Sequence, residues 1–235
     1  MIDYRRKTVI KGQQELRCGY TTGTCAAAAA KAAAVTLLSG EICRDVSLQL
    51  PGGEHIILET EFLECSENCV KCGMIKDAGD DPDVTHGHQI VATVSFSDSP
   101  GIHFLQGKGV GKVTLPGLGL AVGEPAINST PRKMIVNELS LLYGGGLDVT
   151  ISVPEGETLA LKTFNPKLGI IGGISIIGTS GIVKPFSSEA FVDAIRKEVD
   201  WLSIPEPKVR NLSGASIRIS LHRLLCITET LSERH

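Results

Sequence analysis

The first sustained apolar signal along the chain is residues 25–38, mostly alanine, containing Lys31 and holding eight alanines between Ala26 and Ala34. Alanine has the highest intrinsic helix propensity, so a helix is predicted there, with Thr22 or Thr24 capping its first amides and Gly40 stopping it. Residues 45–50 and 55–63 alternate apolar and polar with period two around Pro51-Gly52-Gly53-Glu54, the pattern of a hairpin. Residues 89–97 alternate as well, directing Ile90, Ala92, Val94 and Phe96 to one face, and 147–153 repeat the pattern. Thr130-Pro131 opens a second helix, with Met134, Ile135, Leu139 and Leu142 at helical spacing and Gly144-Gly145-Gly146 ending it. A third helix is predicted from Ser187 or Ser188 to about residue 200. Strands with separate helices, and hairpins among them, predict an α+β fold with a layered mixed sheet and packed helices. From Trp201 onward the periodicity is lost, so the boundary falls between residues 1–199 and an atypical tail at 200–235.

Composition narrows the class. At 235 residues and 42% hydrophobic against 21% charged, the chain can bury a core and needs no disulfide staples. Lys plus Arg is 23 and Asp plus Glu 26, a net charge of −3, so no global positive field draws a nucleic acid. No run approaches the roughly 20 apolar residues that cross a bilayer, so no membrane partner is expected. The N-terminus lacks the apolar stretch of a secretory signal, which predicts a cytoplasmic protein whose seven cysteines stay reduced. Oligomeric state is left open.

Candidate chemistry is concentrated in glycine-rich and acidic segments. Lys76 to Gly87 places Asp77, Asp80, Asp81 and Asp83 within seven residues, a density of like charge that needs compensation from cations or turn amides. A solvated turn capping its own amides is the plain alternative. The acidic spacing is not that of a calcium loop, and no metal site is expected. Cys65-x-x-x-Cys69-x-x-Cys72 has the spacing of a radical S-adenosylmethionine iron–sulfur motif, but no strand-helix repeats follow it. Gly107 to Thr114 resembles a phosphate loop and fails the test, because Gly111-Lys112 is followed by Val113 and by no helix; it reads as a glycine-rich hairpin. Gly123-Glu124-Pro125-Ala126-Ile127-Asn128 with Arg132 gathers polar groups at the opening of the second helix, where free amides favour anions. Residues 169–181 read as an apolar strand framed by glycines, without a dinucleotide fingerprint.

These segments together resemble the cobalt-precorrin-5B C(1)-methyltransferases, the CbiD family of anaerobic cobalamin biosynthesis. The likeness rests on Gly19-Tyr20-Thr21-Thr22-Gly23-Thr24-Cys25 with its alanine helix, Lys76 to Thr85, Gly109-Val110-Gly111, Gly123 to Asn128 with Arg132, and Leu168 to Val183, in the family's order. The resemblance implies methyl transfer from S-adenosylmethionine to C-1 of a cobalt-containing tetrapyrrole. It also implies catalytic roles among Asp77, Asp80, Asp81 and Asp83, and substrate or donor binding by Thr22, Gly23, Thr24, Lys76, Gly109, Gly111, Glu124, Asn128, Arg132, Gly172 and Gly173. Arg17, Lys108 and Lys112 join Lys76 and Arg132 as expected partners of substrate carboxylates. Family members continue into a Rossmann-like C-terminal domain, which is expected to be largely absent here, as in a truncated or frameshifted product. A noncatalytic tetrapyrrole-binding fragment and a metal protein using Cys65, Cys69 and Cys72 are the rival readings. The leading one requires the acidic turn, the glycine hairpin and the Glu124–Asn128 bend to line a common cleft.

Overall fold

The structure is a computed structural model and describes residues 7–11 and 13–185. The helix expected from Ser187 or Ser188 and the tail at 200–235 lie outside the described residues. Strands β1 (Thr8–Lys11), β2 (Gln14–Arg17) and β3 (Gly19–Tyr20) lead into helix α1 (Thr22–Ser39). Its N-cap is Thr21, not Thr22 or Thr24: Thr21 is extended, and its hydroxyl accepts from the Thr24 amide at 3.1 Å. Gly40 ends the helix as predicted, at φ 76°. Every residue from Thr22 to Ala30 is buried, and Ala32 to Ala34 with them. A helix that is small and apolar all round belongs inside a core rather than on its surface. Lys31 is the exception, and its ammonium reaches Ser47 O at 2.6 Å and Glu138 Oε2 at 2.7 Å.

The hairpin forms from β4 (Asp45–Gln49) and β5 (His55–Glu59). The predicted strand at 55–63 is two, because after Glu59 the chain breaks before β6 (Phe62–Cys65) joins another sheet. That sheet contains β7 (Cys69–Ile75), β8 (Gln89–Ser97), β9 (Gly101–Gln106) and β11 (Gly146–Ser152), in the order β6-β7-β8-β11-β9. Only β11 and β9 run parallel, so the sheet is mixed. Register places Cys72, Ala92 and Ile151 in one row and Val70, Val94 and Val149 in the next; all are buried in the core shared with the α1 alanines. Phe96 shares this face by register but sits at its end, 48% exposed, edge-on to Tyr143 with ring centroids 5.7 Å apart.

Helix α2 (Ser129–Leu142) begins one residue before Thr130 and packs on α1. Met134, Ile135 and Leu139 are buried as the spacing predicts, whereas Leu142 is partly exposed at the final turn. Two predicted elements are different. Residues 107–114 form no hairpin: β10 (Lys112–Val113) pairs instead with β12 (Ile170–Ile171). Residues 169–181 form no continuous strand. Beyond β12 they make single bridges, Ile174 to Val110 and Ile176 to Ile127, before β13 (Ile182–Val183) pairs with β3. The short helix α3 (Gly156–Ala160) and a 3-10 turn at Asn165–Leu168 complete the described residues.

Candidate functional site

The acidic segment after β7 is a folded turn organised by an internal cation. Lys76 is 1% exposed, and its ammonium lies 2.7 Å from Asp83 Oδ2. The other oxygen of Asp83 accepts from the Thr85 amide at 2.7 Å and from the Thr85 hydroxyl. Burial alone would raise the Asp83 carboxyl, but the charge and hydrogen bond of Lys76 and the two Thr85 donors outweigh it and hold it below the ordinary carboxylate range. Asp77 is balanced in the same way. Desolvation pushes it up, and the Arg17 hydrogen bond at 2.6 Å, the Gly79 amide at 2.9 Å and nearby positive charge bring it down. Asp80 Oδ2 takes the Arg17 amide at 2.6 Å, while its Oδ1 is 4.0 Å from Arg17 Nε. The compensation predicted for this crowd of charge is therefore supplied by Arg17, Lys76 and turn amides.

Burial removes Lys76 from the residues that can meet substrate carboxylates; it positions the turn. His86, which no sequence role anticipated, stands half exposed at the mouth of the turn. Its Nδ1 accepts from the Ala78 amide at 3.0 Å and lies 3.8 Å from Asp77 Oδ1. A histidine inside an acidic turn was the available signal.

The glycines of this region are used for chain-to-chain contact. A Cβ at Gly19 would strike the Ala78 carbonyl carbon, at Gly109 the Val153 oxygen, and at Gly173 the Gly109 oxygen. At Gly111 it would meet the Ile170 side chain and, at 2.8 Å, the Gly173 oxygen. Gly109, Gly111 and Gly173 are thus filled by backbone, not open to a ligand as their pattern predicted. Gly172 differs: it has φ +81°, and nothing lies within 4 Å of its absent side chain. Thr22, Gly23 and Thr24 are also enclosed. Thr22 Oγ1 exchanges hydrogen bonds with Ile177 N and O, the Gly23 amide donates to Ile177 O at 2.8 Å, and Thr24 Oγ1 donates to Gly181 O at 2.6 Å. The opening of α1 is closed by the chain itself.

Arg132 holds the Glu124–Asn128 bend. Its guanidinium reaches Ile127 O at 2.8 Å, Glu124 Oε2 at 3.1 Å and Pro125 O at 3.2 Å, and its Cζ lies 5.1 Å from the Phe104 ring centroid. Asn128 is the N-cap of α2 by backbone conformation, without a side-chain cap bond. Asp81 is half-buried, and Lys108 lies on the turn whose carbonyl accepts from the Val153 amide at 2.8 Å.

The segments are linked by a succession of pairwise contacts. The acidic turn abuts Gly19 and reaches the loop before α3 through His88 Nδ1, 2.6 Å from Glu155 Oε2. Gly156 abuts Gly109, whose carbonyl accepts from Ile174 N at 3.0 Å. Ile176 N donates to Ala126 O at 2.8 Å, Ile177 meets Gly23, Gly181 meets Thr21, and β13 returns to Gly19 and Tyr20. Residues 169–183 act as a strap that closes these contacts into a ring.

The cysteine trio does not converge. Cys69 and Cys72, an odd number of positions apart in β7, face opposite sides of the sheet. Burial pushes the Cys72 thiol up to about 12, and Cys65 is exposed on the neighbouring strand. Among the described residues no group of three His, Cys, Asp or Glu side chains is placed to hold a metal ion. Among them, too, no helix is long and apolar enough to cross a membrane.

Comparison with known proteins gives a consistent result. The family model described as CbiD matches residues 9–185. A cobalt-precorrin-5B C(1)-methyltransferase of Pseudomonas aeruginosa (strain LESB58) is 53% identical over 190 residues, which is 79% of this chain and 52% of the relative. One from Burkholderia cenocepacia (strain HI2424) is 52% identical with the same coverage. The crystal structure of a cobalamin biosynthesis protein (cbiD) from Archaeoglobus fulgidus aligns with a TM-score of 0.58 at 33% identity, covering 81% of this chain and 62% of that one. The chain spans about half the length of the curated relatives it matches.

Proposed function

The chain belongs to the CbiD family, and from that premise we propose that it serves S-adenosylmethionine-dependent methylation of C-1 of cobalt-precorrin-5B, giving cobalt-precorrin-6A. The observation that carries this reading is the closed ring of contacts joining the acidic turn, the Gly109–Gly111 turn, the Glu124–Asn128 bend and the strap at 169–183. In the transfer, the methyl carbon leaves the sulfonium sulfur, which keeps the bonding pair and becomes a neutral thioether. The macrocycle supplies the pair for the new bond at C-1 and releases one proton to solvent. Such a reaction depends on alignment more than on a strong base, and a ring of close backbone contacts is a rigid frame for alignment.

Within that frame we assign Asp80 Oδ1 to the sulfonium, since its other oxygen is taken by the Arg17 amide. The positive charge on the donor disappears as the methyl moves, so a facing carboxylate favours the ground state and its role is binding. Asp77 and Asp83 hold the turn through Arg17, Gly79, Lys76 and Thr85, and Asp81 stands with Asp80 at its tip. Arg132 and Glu124 position the bend, with Asn128 at its end. Gly172 is the glycine left open to a ligand. Residues 1–199 form the working domain in this reading. The test is incubation of the full chain with cobalt-precorrin-5B and methyl-labelled donor, read by mass spectrometry. The expected result is a macrocycle carrying one added methyl. The rival reading, a noncatalytic tetrapyrrole-binding fragment, is supported by bound macrocycle without mass gain. Absence of macrocycle binding refutes both.

A further inference from the structure

The two edges of the five-stranded sheet differ in character. One edge, β6, is four residues long and carries Glu64, whose carboxylate is held by Lys71 at 3.1 Å. Short length and charge are the usual defences of a strand edge. The β4–β5 hairpin is defended in another way, because the Lys31–Glu138 ion pair takes the outer groups of β4: Lys31 Nζ donates to Ser47 O at 2.6 Å and Glu138 Oε1 accepts from Gln49 N at 2.9 Å. The opposite edge of the five-stranded sheet, β9, is six residues long and contains no lysine, arginine, carboxylate or proline. Just beyond it Gly107 N donates to Ile151 O at 3.0 Å. By the two-residue period of a strand, the N–H and C=O groups of His103 and Leu105 therefore turn toward β11, and those of Ile102, Phe104 and Gln106 turn away from it. Among the described residues nothing bonds to these outward groups. Phe104 packs against the core with Arg132 Cζ 5.1 Å from its ring centroid, and Leu105 on the other face is 46% exposed.

We infer that β9 pairs antiparallel with β9 of a second copy of this chain, joining two five-stranded sheets into one. A two-fold axis between the two copies of Phe104 sets Ile102 opposite Gln106 of the partner subunit. All the outward groups then meet in pairs that exchange both N–H···O bonds, so the strand is its own complement. On the exposed face Leu105 comes opposite His103 of the partner subunit. Charge selects this occupant. The chain has a net charge of −3, and a two-fold axis sets every charge on the strand against its own copy, so self-pairing is favoured on an edge that carries none. The contact also closes. It consumes both copies of β9 and leaves at the ends of the joined sheet only the short, charged β6, so the assembly stops at a dimer and does not grow into a fibre. Through Phe104 and Arg132 the joint lies next to the Glu124–Asn128 bend of each copy.

Sedimentation equilibrium of the full chain over a range of concentrations is expected to show a reversible monomer–dimer equilibrium. Gln106→Pro removes one outward N–H and leaves the β11 ladder intact, and Leu105→Lys puts a charge on the edge; each is expected to raise the dimer dissociation constant by about tenfold or more. Leu141→Lys, at an 85% exposed position on α2, is expected to leave it unchanged. Circular dichroism checks that each variant folds. In the wild-type chain, amide hydrogen exchange at Ile102, Phe104 and Gln106, read residue by residue by NMR, is expected to slow as rising concentration carries monomer into dimer. A chain that stays monomeric at every concentration overturns the inference, as does a dimer that neither edge variant weakens. Protection of these three amides already complete in the monomer overturns it as well, since another part of the same chain then occupies the edge.

Discussion

Removing either partner of the Lys76–Asp83 pair should destabilise the protein, and by unequal amounts. The Lys76 side chain has no exposure and that of Asp83 has 27%, with Thr85 supplying two further donors to the carboxylate. Asp83→Ala leaves a fully buried ammonium without its counter-ion, the case in which breaking a buried pair costs about 3–5 kcal/mol. Lys76→Met leaves a carboxylate that still bonds Thr85 and reaches water, so its cost should be smaller, about 2 kcal/mol. With a urea m-value of about 2 kcal/mol/M, the midpoints fall by roughly 1.5–2.5 M and roughly 1 M. Urea unfolding followed by far-UV circular dichroism measures both. The pH dependence follows from the depressed Asp83 carboxyl. Its stabilising contribution is fully present above the unfolded pKa of about 3.9 and is lost as pH falls through the lower folded value. Wild type should therefore lose stability below about pH 4 more steeply than Lys76→Met, in which the main source of the depression is gone. Equal costs for the two variants, or parallel acid profiles, refute a buried cation as the organiser of the turn.

Two further outcomes are expected. Gly109→Ala drives a methyl into the Val153 carbonyl at φ +72° and should cost more than about 3 kcal/mol or abolish folding, whereas Gly172→Ala, at a left-handed but open position, should cost about 1–2 kcal/mol by thermal melting. Cys25 and Cys72, their thiols pushed up to about 12 by burial, should resist a thiol reagent near pH 8 in the native state, while exposed Cys65 reacts at once; unfolding in urea should release the protected thiols.

Alanine propensity located α1, and periodicity with turn and cap residues located the β4–β5 hairpin, β8, β11 and α2, because each signal is local to its own element. The pattern of residues 107–114 and 169–181 does not reveal their structure, because Lys112 pairs with Ile171 and Val110 bridges to Ile174, and no local pattern records a partner at that distance. The candidate site suffered from the same limitation. Lys76 reads as a surface cation until the turn folds over it, and Gly109, Gly111 and Gly173 read as space for a ligand until backbone fills them.

The division of labour between glycine types follows from these contacts. Gly19, Gly109, Gly111, Gly156 and Gly173 lack side chains because another backbone occupies the place of the Cβ; Gly119, Gly123 and Gly172 lack them because their φ is positive, with open space beyond. The first group fixes the ring of segments and tolerates no displacement. The second lies in the loop before the Glu124–Asn128 bend and just after β12, where a positive φ turns the chain. In the function proposed above, which depends on alignment of donor and acceptor, the first group is the part that matters, because the frame it fixes is the one on which alignment would depend.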